Sequence, residues 1–118
     1  AAVARALALP LAEVGARPVR ALSGGMKQKL LIALALASPA SLIVLDEPTA
    51  SLDRVSREAF FALIEARAPR ATLVLGTHRV DEVRRLADRV ITLDAGRVVS
   101  DEPASEWLAR REGWQACA

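Results

Sequence analysis

At 118 residues the chain has the length of one domain, and 53% hydrophobic with only 3% aromatic residues predicts an aliphatic α/β core. A net charge of +2, carried by scattered arginines, leaves no basic patch of the kind that binds nucleic acid. The single cysteine, Cys117, allows no internal disulfide and fits a reducing compartment.

The opening Ala1-Ala2-Val3-Ala4-Arg5 has no basic leader followed by an apolar block, and is expected to lie already inside a helix. Residues 1–9 are Ala/Leu-rich and predict a helix that Pro10 ends or bends, with one further turn at Leu11 to Val14. Gly15 and Pro18 mark irregular chain. A second helix is expected to open at Ser23-Gly24-Gly25 and run to Ala37, where Ser38-Pro39 stops it. Its second half is apolar all round and should be buried. The uncharged residues 30–45 fall short of the roughly 20 apolar residues of a membrane span, and split into this helix and the strand that follows.

Leu42-Ile43-Val44-Leu45 reads as a buried strand running into Asp46-Glu47 and Pro48. Pro48 to Leu52 is then a loop, and Asp53 is placed to cap a helix over Arg54 to Arg67 whose core contacts are Phe60, Phe61, Leu63 and Ile64. Pro69 breaks that helix. Ala71 to Gly76 is a second buried-strand candidate leading to Thr77-His78, and a short helix follows over about Asp81 to Ala87. This strand, helix, strand order implies a parallel pair. Arg89 to Leu93 and Arg97 to Ser100 flank Asp94-Ala95-Gly96 as a β-hairpin, and an amphipathic helix over Ala104 to Arg111 follows. No repeat, low-complexity tract or linker interrupts the chain.

Two stretches carry chemistry. Open α/β sheets bind ligands at the carboxyl ends of their strands, which is where Asp46 and Glu47 stand. One carboxylate there can hold a metal-bound water while its neighbour, directed the other way by strand alternation, faces a reacting water. At Leu22-Ser23-Gly24-Gly25-Met26, two glycines at a helix start allow a phosphate to approach outward-facing N–H groups, and Ser23 can add a hydroxyl. A plain cap serine before a flexible turn fits the same residues.

Taken in order and spacing, Leu22 to Met26, Leu42 to Thr49, Ser51-Leu52-Asp53 and the strand ending in His78 resemble the carboxyl-terminal half of an ATP-binding cassette (ABC) ATPase, over about residues 18–100. The resemblance makes Leu22 to Met26 the signature motif, Leu42 to Glu47 the Walker B strand, Ser51 to Asp53 the D-loop and His78 the switch histidine. It implies a partial P-loop NTPase fold: parallel core strands with helices, plus a C-terminal hairpin and helix. The whole chain, 1–118, would be one partial nucleotide-binding domain. Its helical signature region would cover about 1–37 and its α/β core about 41–118. By resemblance Asp46 positions Mg2+ through water, Glu47 polarises the attacking water, and His78 contacts the γ-phosphate. Ser23, Gly24 and Gly25 contact ATP held by a second cassette in a head-to-tail dimer, and Asp53 serves in the D-loop. The implied partners are that second ATPase subunit and a transmembrane permease, with no nucleic acid, at the cytoplasmic face of the membrane.

The sequence also departs from the family pattern. Met26 stands where the signature usually ends in Gln, a variant that resembles exporter cassettes. The two lysines, Lys27 and Lys29, both lie in the signature helix, so no G-x-x-x-x-G-K-[ST] loop is present in the chain. A glutamine-loop candidate and an upstream aromatic for adenine are also lacking, Trp107 and Trp114 being expected to pack or to face a partner. The expectation is a cassette without its Walker A half, inactive alone, with exposed apolar edges on the Asp46 strand. Two other readings stay open. One is a degenerate, non-hydrolytic module that supplies the signature in trans, and the other a soluble non-transport ABC ATPase.

Overall fold

Ala and Leu, strong helix formers, begin the chain as α1 (Ala2–Ala6). Pro10 does not end this helix. Ala8 turns left-handed at φ 51°, and its N–H and that of Leu9 bond the Arg5 and Ala4 carbonyls at 3.0 and 2.8 Å, closing a Schellman-type end before the proline. Pro10 instead precedes α2 (Leu11–Gly15), so Gly15 is helical rather than irregular. The computed structural model describes residues 2–116 and, within the last helix, side chains as far as Arg111; Cys117 and the Trp114 side chain lie outside the described residues. Two compact units result, Ala1–Gly76 and Thr77–Ala118.

In the first unit, α3 (Gly24–Ala37) begins at Ser23, whose hydroxyl accepts the Met26 N–H at 3.2 Å. Met26, Leu30 and Ala33 pack on the cluster of Ala4, Leu9, Val14 and Leu22. The apolar second half of α3 is covered on one side only. Ile32 and Leu36 are buried, whereas Leu31 and Leu34 are each 61% exposed, so the expectation of all-round burial fails for want of a layer over that side.

β1 (Leu42–Asp46) and β2 (Thr72–Gly76) pair in parallel, with Leu42 opposite Thr72 and Asp46 opposite Gly76. Between them runs α4 (Arg54–Arg67), which buries Phe60, Phe61 and Ile64 and leaves Leu63 half-buried. Ile43 is buried, but Leu42 and Val44 are exposed, and so is Val74 of β2. The expected fully buried strand is therefore buried on one face, and its other face is the exposed apolar surface. Arg67 clasps the approach to β1, donating to the Ser38 and Ala40 carbonyls at 2.9 and 2.8 Å.

In the second unit, α5 (Val80–Leu86) precedes β3 (Arg89–Asp94) and β4 (Arg97–Pro103), an antiparallel hairpin. Ala95 and Gly96 both have positive φ, 47° and 75°, as a two-residue primed turn requires. The register slips between Thr92 and Leu93, a bulge. α6 (Ala104–Ala116) packs on the hairpin through Trp107, which is buried with Val83 and Ala104 and donates its indole N–H to the Thr92 hydroxyl at 3.2 Å. Trp107 is thus a packing residue. Arg89 and Asp101 form a two-pronged ion pair across the hairpin, which holds the Asp101 carboxyl below its ordinary value. Among the described residues no helix is long and apolar enough to cross a membrane.

Candidate functional site

The two acids leave β1 by different routes. Asp46 is the last residue of the strand, exposed, with Gly76 beside it on β2. A Cβ on Gly76 would stand 2.7 Å from the Asp46 Oδ1, so glycine there leaves the space the carboxylate occupies. Glu47 lies beyond the strand with φ 45°, a left-handed conformation unusual for a residue with a side chain, and its N–H donates to the Gly76 carbonyl at 2.8 Å. Its direction is set by this turn, not by strand alternation, which corrects the expectation drawn from the sequence. Beyond it Pro48 and Thr49 are buried, and the Ala50 and Leu52 N–H groups bond back to the Glu47 and Thr49 carbonyls at 3.2 and 3.1 Å.

The start of α3 is open. Ser23 and Gly24 are exposed, and a Cβ on Gly24 would meet nothing within 4 Å. With the Met26 N–H bound to Ser23 Oγ and the Lys27 N–H to Ser23 O, the N–H groups of Gly24 and Gly25 are those without an acceptor inside the helix. The dipole of a 14-residue helix adds partial positive charge there. Met26, the departure from the usual signature, turns its side chain into the core cluster.

Three contacts, none legible in the sequence, tie this helix to the loop after the acids. A Cβ on Gly25 would stand 3.1 Å from the Ser51 carbonyl oxygen, so glycine permits the close approach of that loop. Gln28 Nε2 donates to the Pro48 carbonyl at 2.9 Å. Lys29 pairs with Asp53 at 3.6 Å. Asp53 also caps α4, accepting the Ser56 N–H at 2.9 Å and the Ser56 hydroxyl at 3.0 Å. The structure thus brings Ser23, Gly24 and Gly25 onto one helix that grips the segment carrying Asp46, Glu47 and Asp53. His78 belongs to the second unit, exposed in the link between β2 and α5, beside Thr77 whose hydroxyl accepts the Arg79 N–H at 3.0 Å.

The bond from the Ser56 N–H, then the Ser56 hydroxyl, and more weakly Lys29, hold the Asp53 carboxyl below its ordinary 3.8. A folded-state value below the unfolded one stabilises the fold above the unfolded value, and that contribution is lost as pH falls through the folded value. Asp53→Asn keeps a cap that does not titrate. Thermal unfolding between about pH 2 and pH 6 should therefore lose less stability on acidification in the variant than in the parent. Equal acid limbs would remove Asp53 as a contributor.

Among the described residues no three His, Cys, Asp or Glu side chains converge to hold a metal alone. Mg2+ is commonly held by one or two carboxylates, with waters and phosphate oxygens completing the shell, and an exposed Asp46 at a strand end fits that role. The open, glycine-bearing N-terminus of α3 likewise fits a phosphate.

A family profile described as ABC transporter matches residues 3–50. The nickel import ATP-binding protein NikO of Rhodobacter capsulatus is 43% identical over 115 residues, covering 93% of this chain and 45% of its own length. The phosphonates import ATP-binding protein PhnC of Thiobacillus denitrificans is 46% identical over 91 residues, 75% of this chain and 35% of its own. The chain thus spans less than half the length of these relatives. Among solved structures, a bacterial Atm1-family ABC exporter with ATP bound superposes with a TM-score of 0.73 at 26% identity, over 99% of this chain and 23% of that one. The ATP-binding subunit of an ABC transporter gives 0.69 at 30% identity, over 80% and 40%.

Proposed function

Because the chain belongs to the family of ABC transporter ATPases, we propose that it is the distal part of an ATP-binding subunit whose complete form hydrolyses Mg-ATP to drive transport. On this reading residues of about 1–37 form the helical signature region and those of about 41–118 the α/β core. The observation that supports it is the packed connection of α3 to the loop after Asp46-Glu47, made through Gly25, Gln28 and Lys29. A phosphate-facing helix end and a pair of strand-end acids are thereby parts of one unit. In that subunit Glu47 would orient the attacking water and take its proton, and Asp46 would help to hold Mg2+. Bound Mg2+ would neutralise charge on the phosphate oxygens. Ser23, Gly24 and Gly25 donate to the γ-phosphate of ATP seated on the partner cassette, Asp53 serves nucleotide binding as a D-loop residue, and His78 donates to the γ-phosphate. The partners are a second ATPase subunit, head to tail, and a membrane-embedded permease; the location is the cytoplasmic face of the membrane.

Two experiments bear on this. A G-x-x-x-x-G-K-[ST] loop encoded ahead of Ala1 in the same reading frame supports the enzyme, and a start codon at that position would overturn it for this chain. Titrated alone, the 118-residue chain should show negligible ATP affinity, because the cis phosphate loop is absent from its sequence. Tight binding would contradict the reading. A narrower prediction concerns Gly76→Ala. Its new methyl must displace the Asp46 carboxylate, so in the complete ATPase the Mg2+ concentration for half-maximal activity should rise severalfold with ATP binding little changed. An unaltered Mg2+ titration would show that Asp46 does not serve the metal.

A further inference from the structure

We propose that Gln28 is a positioning residue for Glu47, the link that makes the acid-bearing loop follow the N-terminus of α3. The inference rests on the ATPase reading above and adds to it a route by which the phosphate-facing end of the chain reaches its general base. Gln28 reaches across twenty positions in sequence to donate its amide N–H to the Pro48 carbonyl at 2.9 Å, in a partly buried setting. Pro48 directly follows Glu47, and Glu47 is held at φ 45°. A residue with a side chain stays in that region only where its surroundings over-determine it. On one side the Glu47 N–H is tied to Gly76; on the other, Gln28 fixes the carbonyl of the next residue. Thr49, the following side chain, is buried, so the peptide between the two anchors has little freedom.

The other end of this link is close. Gln28 lies four residues beyond Gly24, roughly 6 Å along the helix, so a shift of α3 when its first turn meets a phosphate is carried to Pro48 with little bending. The other two contacts are placed differently. Gly25 meets Ser51 and Lys29 meets the exposed Asp53, both beyond the turn, whereas Gln28 grips the residue adjoining Glu47. The coupling therefore runs from the signature turn, through one side-chain amide, to the backbone that aims the base.

The test uses the complete ATPase. Gln28→Leu keeps the bulk and removes the donor, and Gln28→Lys keeps a donor of similar reach. Gln28→Leu should lower kcat about tenfold and move the Hill coefficient for ATP toward 1, with KM within about twofold. Gln28→Lys should restore most of both. Hydrogen exchange should quicken at the Ala50 and Leu52 amides in Gln28→Leu while the amides of α4 stay protected. A folded Gln28→Leu enzyme with parental kcat and Hill coefficient would overturn the proposal, as would a loss of kcat accompanied by faster exchange throughout α3 and α4, which marks a merely structural role. Should Gln28→Leu fail to fold, Gln28→Glu, of the same size and without the donor, is to give the same kinetic pattern or the proposal falls. If the parent enzyme hydrolyses ATP and the variants match it, positioning alone fails. If the parent does not hydrolyse ATP, the ATPase reading fails and the positioning role with it.

Discussion

Glu47→Gln in the complete ATPase should lower kcat about 10²- to 10⁴-fold, the usual contribution of a positioned general base, or about 3 to 5 kcal/mol in barrier. ATP binding should persist. The amide is isosteric with the carboxyl, and two of the bonds that anchor the turn, the Glu47 N–H on the Gly76 carbonyl and Gln28 on the Pro48 carbonyl, use backbone atoms of Glu47 and Pro48 that the substitution leaves in place. Steady-state phosphate release together with a nucleotide titration separates the two effects. Turnover near the parental rate would remove Glu47 from the role of base. A loss of binding alongside turnover would instead show that the left-handed turn depends on the carboxylate.

Phe60→Ala in the 118-residue chain should cost about 3 to 5 kcal/mol, since the ring is wholly buried and its removal leaves a cavity. Phe60 packs beside Phe61 with ring centroids 5.8 Å apart and planes tilted by 54°, and with Ile64 the pair forms the apolar side of α4. Domains of this size are stable by only about 5 to 15 kcal/mol, so the loss is a large share of the total, and the urea midpoint should fall by about 2 M. Val55→Ala, at a residue 77% exposed on the same helix, should stay within about 0.5 kcal/mol of the parent. Equal midpoints for Phe60→Ala and Val55→Ala would mean that α4 does not hold the core of the first unit.

The order of elements was legible because it rests on local signals. Ser23 and Asp53 cap the helices they were expected to cap, Leu42 and Thr72 open strands in parallel register, and Ala95-Gly96 makes the hairpin turn. The site residues were legible for a different reason: the Leu22 to Met26 and Leu42 to Thr49 stretches resemble a family whose spacing is distinctive, and the family itself is borne out. What could not be read is long-range. The burial of Leu31, Leu34, Leu42 and Val44 depends on what covers them, and hydropathy records the residue without its neighbours. Glu47 looked like one more strand position, yet the parallel partner strand ends at Gly76, whose carbonyl draws the Glu47 N–H back and imposes the left-handed turn. Gln28 carried no signal, since a glutamine in the second turn of a helix is an ordinary surface choice until Pro48 stands beside it.

The proposal that the Ser23 to Gly25 turn serves ATP held by the partner can be measured in mixed dimers of the complete subunit. Glu47→Gln and Gly24→Arg, the latter at a glycine where a Cβ meets nothing within 4 Å of its own chain, are placed either on opposite protomers or together on one, and phosphate release is compared. With a head-to-tail pair, opposite placement spoils a single composite site twice and leaves the other intact, so activity should remain. Placing both on one protomer damages both sites, and activity should fall to background. The reverse pattern, activity with both changes on one protomer and none when they are divided, would contradict a signature that acts in trans.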